Sequence, residues 1–393
     1  MTVGFPVEEV WEGKARVLVP ALDKSAGEPE QRLRSMAPVF YNPVMKPNRD
    51  TAVLVLRAHQ GNIGRGVDAC EPLAGSGVRG IRFALEVSDV ERVVMGDLSP
   101  SAVRLGELNA ERNGVSGKVS FRLLDANLLL SLHCYPGGRF DYVDVDPYGS
   151  PAPFLDTAVR SVNNHGILAL TATDMAPLCG VNPKACIRKY GGRPLAGEFC
   201  HETALRLLTG ALVRQAAVHE RAATPLFSYY SNHYVRVYSR LDKGKRRANS
   251  QLAQMGYLKH CPRCLHRMAS KDNNAERCRS CGSKMGVAGP LWLGEQADPE
   301  YLTRMLEDSV TLGYMLGTKA VTLIQTVRDE HGYPPWFFDI DTVCSQLGAR
   351  SMATDEALTM ICEAGYRVVR THYGDRAIKT GASIGELKKV LGG

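Results

Sequence analysis

No stretch of this sequence approaches the roughly 20 consecutive apolar residues that a helix needs to cross a bilayer, so no membrane-spanning helix is expected. Residues 1–10 carry Glu8 and Glu9 and no apolar core. They do not read as a secretory signal, and the cytoplasm is the expected compartment. Internal repeats and low-complexity tracts are missing as well, which sets aside repeat arrays and biased polar segments. The even cysteine set of a secreted disulfide scaffold is also missing. Of 11 cysteines, four fall in a tight two-pair cluster and the others are scattered. That pattern suits a reducing compartment and one metal site. Nor does either sign of charge dominate, the net value being only +7.

What is present begins with length: 393 residues suggest two domains. The hydrophobic content of 44% is ordinary for a globular chain. The modest charge is unevenly placed. Residues 182–270 hold 16 Lys and Arg against 4 Asp and Glu. So basic a segment points to a polyanion, although a solvated charged surface gives the same count.

The chain is organised around Asp144-Val145-Asp146-Pro147-Tyr148-Gly149-Ser150-Pro151. The apolar run 140–145 predicts a buried strand, and Pro147, Gly149 and Pro151 cannot continue it. An acid, a proline and an aromatic ring therefore stand where a strand gives way to its loop. That edge is where parallel α/β sheets bind ligands. A carboxylate there can accept an N–H from an exocyclic amine, and the ring can stack on a flat base.

Upstream, residues 66–74 predict a strand running into Glu71-Pro72-Leu73-Ala74-Gly75-Ser76-Gly77-Val78-Arg79-Gly80. Gly75 and Gly77 let the backbone approach a ligand where the next helix starts. Dehydrogenases, kinases and methyltransferases all carry such loops, so the glycines do not decide the matter. The strand 92–95 leads to Asp97, where a carboxylate can accept two ribose hydroxyls. Ser99 and Pro100 open the following helix. The strand 119–124 ends at Asp125-Ala126, and this acid suits either an adenine amine or a helix cap. A helix is expected at 51–59, with Asn48 as its candidate cap, and a fifth strand at 166–172. Alternation from 66 to 174 predicts a doubly wound parallel sheet. The segments 226–230 and 234–238 add an antiparallel hairpin. A sheet closed in this way resembles the class I methyltransferase fold, whose cofactor is S-adenosylmethionine. Asp146-Pro147-Tyr148-Gly149 resembles the acid-Pro-Pro-aromatic motif of amino-group methyltransferases.

Lys243, Lys245, Arg246 and Arg247 read as a hinge, giving expected domains 1–241 and 242–393. Cys261-Pro262-Arg263-Cys264 and Cys278-Arg279-Ser280-Cys281 are separated by 13 residues, a strong zinc signal. Four thiolates complete a tetrahedral site and leave no position for water, so the ion is expected to be structural. Helices at 341–347 and 355–364 with a strand at 366–369 suggest a small winged-helix-like α+β unit.

These segments together resemble a tRNA (guanine-26) N2,N2-dimethyltransferase of archaeal-type length. The resemblance is carried by Val39-Phe40-Tyr41-Asn42-Pro43 with Asn48-Arg49-Asp50, by the Gly75 loop through Arg82, and by Asp146 to Pro151. Tyr229-Tyr230 with His233-Tyr234-Val235-Arg236, the four cysteines, and Thr371-His372-Tyr373 with Ile378-Lys379-Thr380 complete it. It implies an S-adenosylmethionine-dependent methyltransferase domain, then a C-terminal domain binding Zn2+ and tRNA; a monomer is expected, although the sequence carries no signal of oligomeric state. It implies cofactor contacts at Arg49, Arg79, Asp97, Asp125 and Ala126, beside Glu71, Gly75 and Gly77. The two arginines would take the methionine carboxylate. Asp146 would draw off the N2 proton, the Pro147 carbonyl would hold the other amine hydrogen, and Phe40 and Tyr148 would sandwich the base. A stacked guanine must be turned out of the tRNA to reach them. Lys184, Arg246, Arg247, His372 and Lys379 are the expected RNA contacts. Two residues depart from the family pattern: Glu71 replaces Asp, and Tyr148 replaces Phe, whose added hydroxyl needs a partner if buried. The remaining readings are an amino-group methyltransferase acting on another nucleic-acid base and a non-catalytic zinc-ribbon RNA-binding protein.

Overall fold

The computed structural model describes residues 3–23, 29–274, 277–313 and 316–392. The chain opens with a hairpin, β1 (Val7–Glu12) and β2 (Ala15–Pro20), followed by α1 (Glu30–Met36) and α2 (Lys46–Ile63). Alternation then runs β3 (Val67–Glu71), α3 (Val78–Glu86), β4 (Val90–Asp97), α4 (Pro100–Arg112), β5 (Val119–Leu123), α5 (Ala126–Ser131), β6 (Phe140–Val145), α6 (Leu155–Ser161) and β7 (Val162–Ala172). Helices α7 (Met175–Leu178), α8 (Pro183–Tyr190) and α9 (Cys200–Val218) lead to β8 (Arg221–Ser231), β9 (Tyr234–Lys243) and α10 (Lys245–Leu252).

The sheet order is β5-β4-β3-β6-β7-β9-β8. The first five of these strands are parallel, and β8 and β9 pair antiparallel. This is the Rossmann-type methyltransferase sheet expected from the alternation. The order reverses between β3 and β6, so the loops after these two strands open at the switch point. Every residue of β6 is buried, as a central parallel strand covered on both faces requires.

The helix expected at 51–59 begins earlier. Pro47 stands in its first turn, where a missing N–H leaves no bond unmade. Asn48 is therefore inside α2 and does not cap it. Ala52, Val53, Leu54, Val55 and Leu56 are all 0% exposed, so the middle of this helix is buried all round.

Strands β10 (Met255–His260), β11 (Arg267–Ser270) and β12 (Gly286–Trp292) form an antiparallel sheet. After α11 (Pro299–Leu312) and α12 (Thr318–Asp329) come β13 (Phe338–Asp339), α13 (Ile340–Leu347), α14 (Thr354–Glu363), β14 (Val368–Arg370), β15 (Ala377–Thr380) and α15 (Ile384–Leu391). Phe338, Ile340, Ile361, Ile378 and Leu387 share the core of this last group, the small α+β unit expected here.

Contacts divide the chain into two compact units. The first is Met1–Asp146, Phe154–Leu170 and Thr303–Ile324; the second is Pro147–Pro153, Thr171–Leu302 and Gln325–Gly393. This division differs from the expected boundary after residue 241. Within the first unit, Asp50 Oδ2 accepts the Gly317 N–H at 3.1 Å, and Arg57 lies 3.6 Å from Asp308. Such long-range bonds hold residues 303–324 to α2, and no composition shift announces them.

Candidate active site

The loop after β3 is tight. Gly75 and Gly77 have φ of +52° and +74°, a region closed to most side chains. A Cβ on Gly77 would come 2.8 Å from the Phe121 ring, and one on Gly75 would come 3.1 Å from the Phe40 carbonyl oxygen. Asp97, at the end of β4, accepts the Gly75 N–H on Oδ2 and the Ser99 N–H on Oδ1, both at 2.9 Å. It thereby holds the loop, and each oxygen retains a second lone pair for a hydroxyl. Ser99 caps α4 as expected. Asp125 Oδ1 accepts the Asn127 and Leu128 N–H groups at 2.9 and 3.1 Å, so the capping role is realised. Ala126 is buried beside it.

Arg79, on α3, reaches the carboxyl end of β6. Its Nη1 donates to Asp144 Oδ1 at 2.6 Å, and its Nη2 donates to Asn48 Oδ1 at 3.0 Å and to Asp146 Oδ2. Its fork therefore faces strand-end acids, and a ligand carboxylate there would have to displace Asp146. Asp144 is 0% exposed and also accepts the Tyr142 hydroxyl at 2.8 Å. Glu71 completes the group 3.5 Å from Arg79 and accepts the Gly80 N–H at 3.2 Å. Burial pushes its carboxyl up to about 8 against the pull of Arg79. A neutral Glu71 leaves Arg79 to balance the aspartates. Asn48 Nδ2 is buried and has no hydrogen-bond partner among the described residues.

Arg49 is bidentate to Glu12, Nε and Nη2 each lying 2.6 Å from a carboxylate oxygen; Nη2 also donates to Asn42 O at 3.0 Å. Only Nη1 is left for the expected ligand carboxylate. Burial raises the Glu12 carboxyl, but Arg49 and Arg82 outweigh it and hold the group at about 2. The pair fixes the strand to the segment carrying Phe40, which is 38% exposed.

The loop after β6 is held separately. Gly149 has φ +86°, donates its N–H to Thr173 Oγ1 at 2.7 Å, and accepts the Thr173 N–H at 2.8 Å. Ser150 donates to the Tyr190 hydroxyl oxygen at 2.8 Å, and Tyr190 donates to Asp174 at 2.5 Å. Pro147 is buried while Tyr148 is 67% exposed. The phenol therefore meets solvent, and the concern about a buried hydroxyl does not arise.

Asn48, Asp144, Tyr142 and Glu12 had no place in the expected site. Asp144 was legible only as a polar residue at the head of the organising stretch, Asn48 carried a cap signal that pointed elsewhere, and Tyr142 and Glu12 carried no local signal.

Two expected RNA contacts are corrected. Lys379 is 4% exposed and lies 2.6 Å from Glu202. The His372 side chain is 3% exposed, 2.7 Å from Glu330, and accepts the Tyr230 N–H at 3.1 Å. Both are turned inward to buried carboxylates. Part of the basic middle segment is internal too: Arg206, Arg221, Arg236, Lys259 and Arg267 are buried, three of them paired with Glu202, Asp272 and Glu198. Lys184, Arg246 and Arg247 are exposed.

The four expected zinc ligands come together. Cys261, Cys264, Cys278 and Cys281 have sulfurs within 4.8 Å of one another, two pairs lying 3.4 Å apart. Sulfurs on one tetrahedral zinc lie about 3.8 Å apart for a Zn–S bond of about 2.3 Å. The cluster fits that ion with little movement.

Residues 13–392 match the family model described as N2,N2-dimethylguanosine tRNA methyltransferase. The chain is 39% identical to the tRNA (guanine(26)-N(2))-dimethyltransferase of Methanothermobacter thermautotrophicus, over 97% of this chain and 98% of that one. It is 40% identical to the protein of that name from Methanopyrus kandleri, over 98% and 96%. It is 34% identical to the tRNA (guanine(26)-N(2)/guanine(27)-N(2))-dimethyltransferase of Aquifex aeolicus, over 98% and 96%. A solved complex of Trm1 from Pyrococcus horikoshii with S-adenosyl-L-methionine matches with a TM-score of 0.84 and 32% identity, over 98% of this chain and 99% of that one.

Proposed function

The chain belongs to the N2,N2-dimethylguanosine tRNA methyltransferase family, and we infer from that membership and from the strand-end geometry that it dimethylates N2 of guanosine 26 in tRNA. S-adenosylmethionine, when bound, supplies a methyl group already activated by a positive sulfur. The loop after β3 suits it: the glycine backbone is open to close approach, Asp97 keeps lone pairs for ribose hydroxyls, and Asn48 Nδ2 is a buried donor lacking a partner among the described residues. Arg49 Nη1 is the donor proposed for the methionine carboxylate, and Asp125 with Ala126 for the adenine.

Asp146 is the proposed proton acceptor. The guanine amine is a weak nucleophile because its lone pair is delocalised into the ring, so it must lose a proton as its new N–C bond forms. Arg79 orients Asp146, and the Asp146 side chain, 15% exposed, can release the proton to solvent before a second transfer. The Pro147 carbonyl is proposed to take the other amine hydrogen. Phe40 and Tyr148 each offer a ring for stacking on the turned-out base. Most of the acceleration comes from holding amine and donor in line.

Exposed Lys184, Arg246 and Arg247 are proposed phosphate contacts, and the Cys261 cluster is proposed to hold one structural Zn2+. A monomer in the cytoplasm is the proposed state, and the unpaired cysteines suit a reducing compartment.

The reading is carried by the Arg79–Asp146 pair at the end of β6. Nucleoside mass spectrometry of an unmodified tRNA transcript, mapped by position, tests it. Wild type should yield dimethylguanosine at position 26. Asp146→Asn should lose about 10²-fold or more in rate while calorimetry still shows cofactor binding. An undiminished rate in that variant would remove Asp146 from the mechanism.

A further inference from the structure

A second group of metal-type ligands lies outside both sites described above. Cys179 directly follows α7, Cys200 is the first residue of α9, and His201 is the second. The two sulfurs and a His201 ring nitrogen lie within 4.8 Å of one another, and all three residues are partly exposed. The His201 imidazole is stacked on Tyr230, with ring centroids 3.9 Å apart and planes at 8°, which fixes the plane of the ring. Cys200 stands at the N-terminus of a helix of 19 residues, where an ionised sulfur is favoured.

We propose that Cys179, Cys200 and His201 form a second Zn2+ site, with three protein ligands and a fourth position open to solvent. Thiolate and imidazole donors select zinc over magnesium or calcium, which take oxygen. A three-ligand set with an accessible fourth position differs from the closed four-thiolate cluster. The ion would clip the turn after α7 to the start of α9. That turn continues the segment in which Thr173 exchanges hydrogen bonds with Gly149, so the clip would brace the loop that carries Tyr148.

The test uses the full chain, purified without oxygen under reductant, stripped of metal and reloaded with Zn2+ or Co2+. Elemental analysis should find two zinc ions per wild-type chain and one in Cys179→Ser, Cys200→Ser and His201→Ala. With Co2+, wild type should show the thiolate charge-transfer bands of both sites. Cys200→Ser should keep only those of the four-cysteine cluster. Circular dichroism checks that each variant is folded, and the wild-type stoichiometry needs no variant. One zinc per wild-type chain with Cys179 and Cys200 reduced overturns the proposal. So does a Cys179–Cys200 disulfide that persists after metal loading.

Discussion

Replacing Arg79 with Met tests whether the strand-end cluster is one energetic unit. The wild-type guanidinium lies 2.6 Å from Asp144, and the two side chains are 4% and 0% exposed. Without it, Asp144 keeps the Tyr142 hydroxyl but loses a buried countercharge. Removing one partner of such a pair costs about 3–5 kcal/mol, a large part of the 5–15 kcal/mol that holds a domain folded. Adding Asp144→Asn removes the stranded charge, and the Asn oxygen can still accept from Tyr142. The double variant should therefore be more stable than Arg79→Met alone, with a coupling of about 2–3 kcal/mol. Urea unfolding at neutral pH, followed by two probes, measures each corner of the cycle. The double variant should regain stability without regaining methyl transfer, because Asp146 has lost the group that orients it. A loss below about 1 kcal/mol in Arg79→Met, or simple additivity in the double variant, would refute the cluster as described.

The remaining outcomes concern other parts of the chain. Arg49 and Arg82 hold the Glu12 carboxyl at about 2, below its ordinary 4.5. A lowered folded value means the stabilisation is full above pH 4.5 and is lost as pH falls towards 2. Glu12→Gln should lose about 3 kcal/mol at neutral pH and unfold with a flatter acid limb over that window; an unchanged acid limb would discount the ion pair. Tyr148 is 67% exposed, so Tyr148→Ala should change stability by no more than about 0.5 kcal/mol. Its methylation efficiency should nonetheless fall by the factor of about 5 to 150 that about 1–3 kcal/mol of base stacking implies, and Tyr148→Phe should restore it. In a filter-binding titration across salt concentrations, the Arg246→Ala/Arg247→Ala variant should lower the slope of log affinity by about 2. Lys379→Met should leave that slope unchanged, because Lys379 is turned to Glu202.

The order of strands and loops could be read from residues 66–174 because its signals are local. The buried run before Asp146, the glycines after Glu71 and the Ser99-Pro100 start are each set by neighbours in sequence. The paired Cys-x-x-Cys motifs were as plain, since their spacing within each pair is nearly the site itself. Asn48 was misjudged because a local cap signal competed with Pro47, which starts the helix earlier.

Sequence alone therefore determined the alternating parallel sheet, the acids at its strand ends, and the four-cysteine cluster. Tertiary structure alone decided which charges belong to each other. Arg79 reaches Asp144 across 65 positions, and Lys379 reaches Glu202 across 177. It alone also brought Cys179 to Cys200 and His201. The reason is desolvation. A charge removed from water must find a countercharge in space, and that choice depends on what the fold brings near, which neither a charge count nor a spacing records.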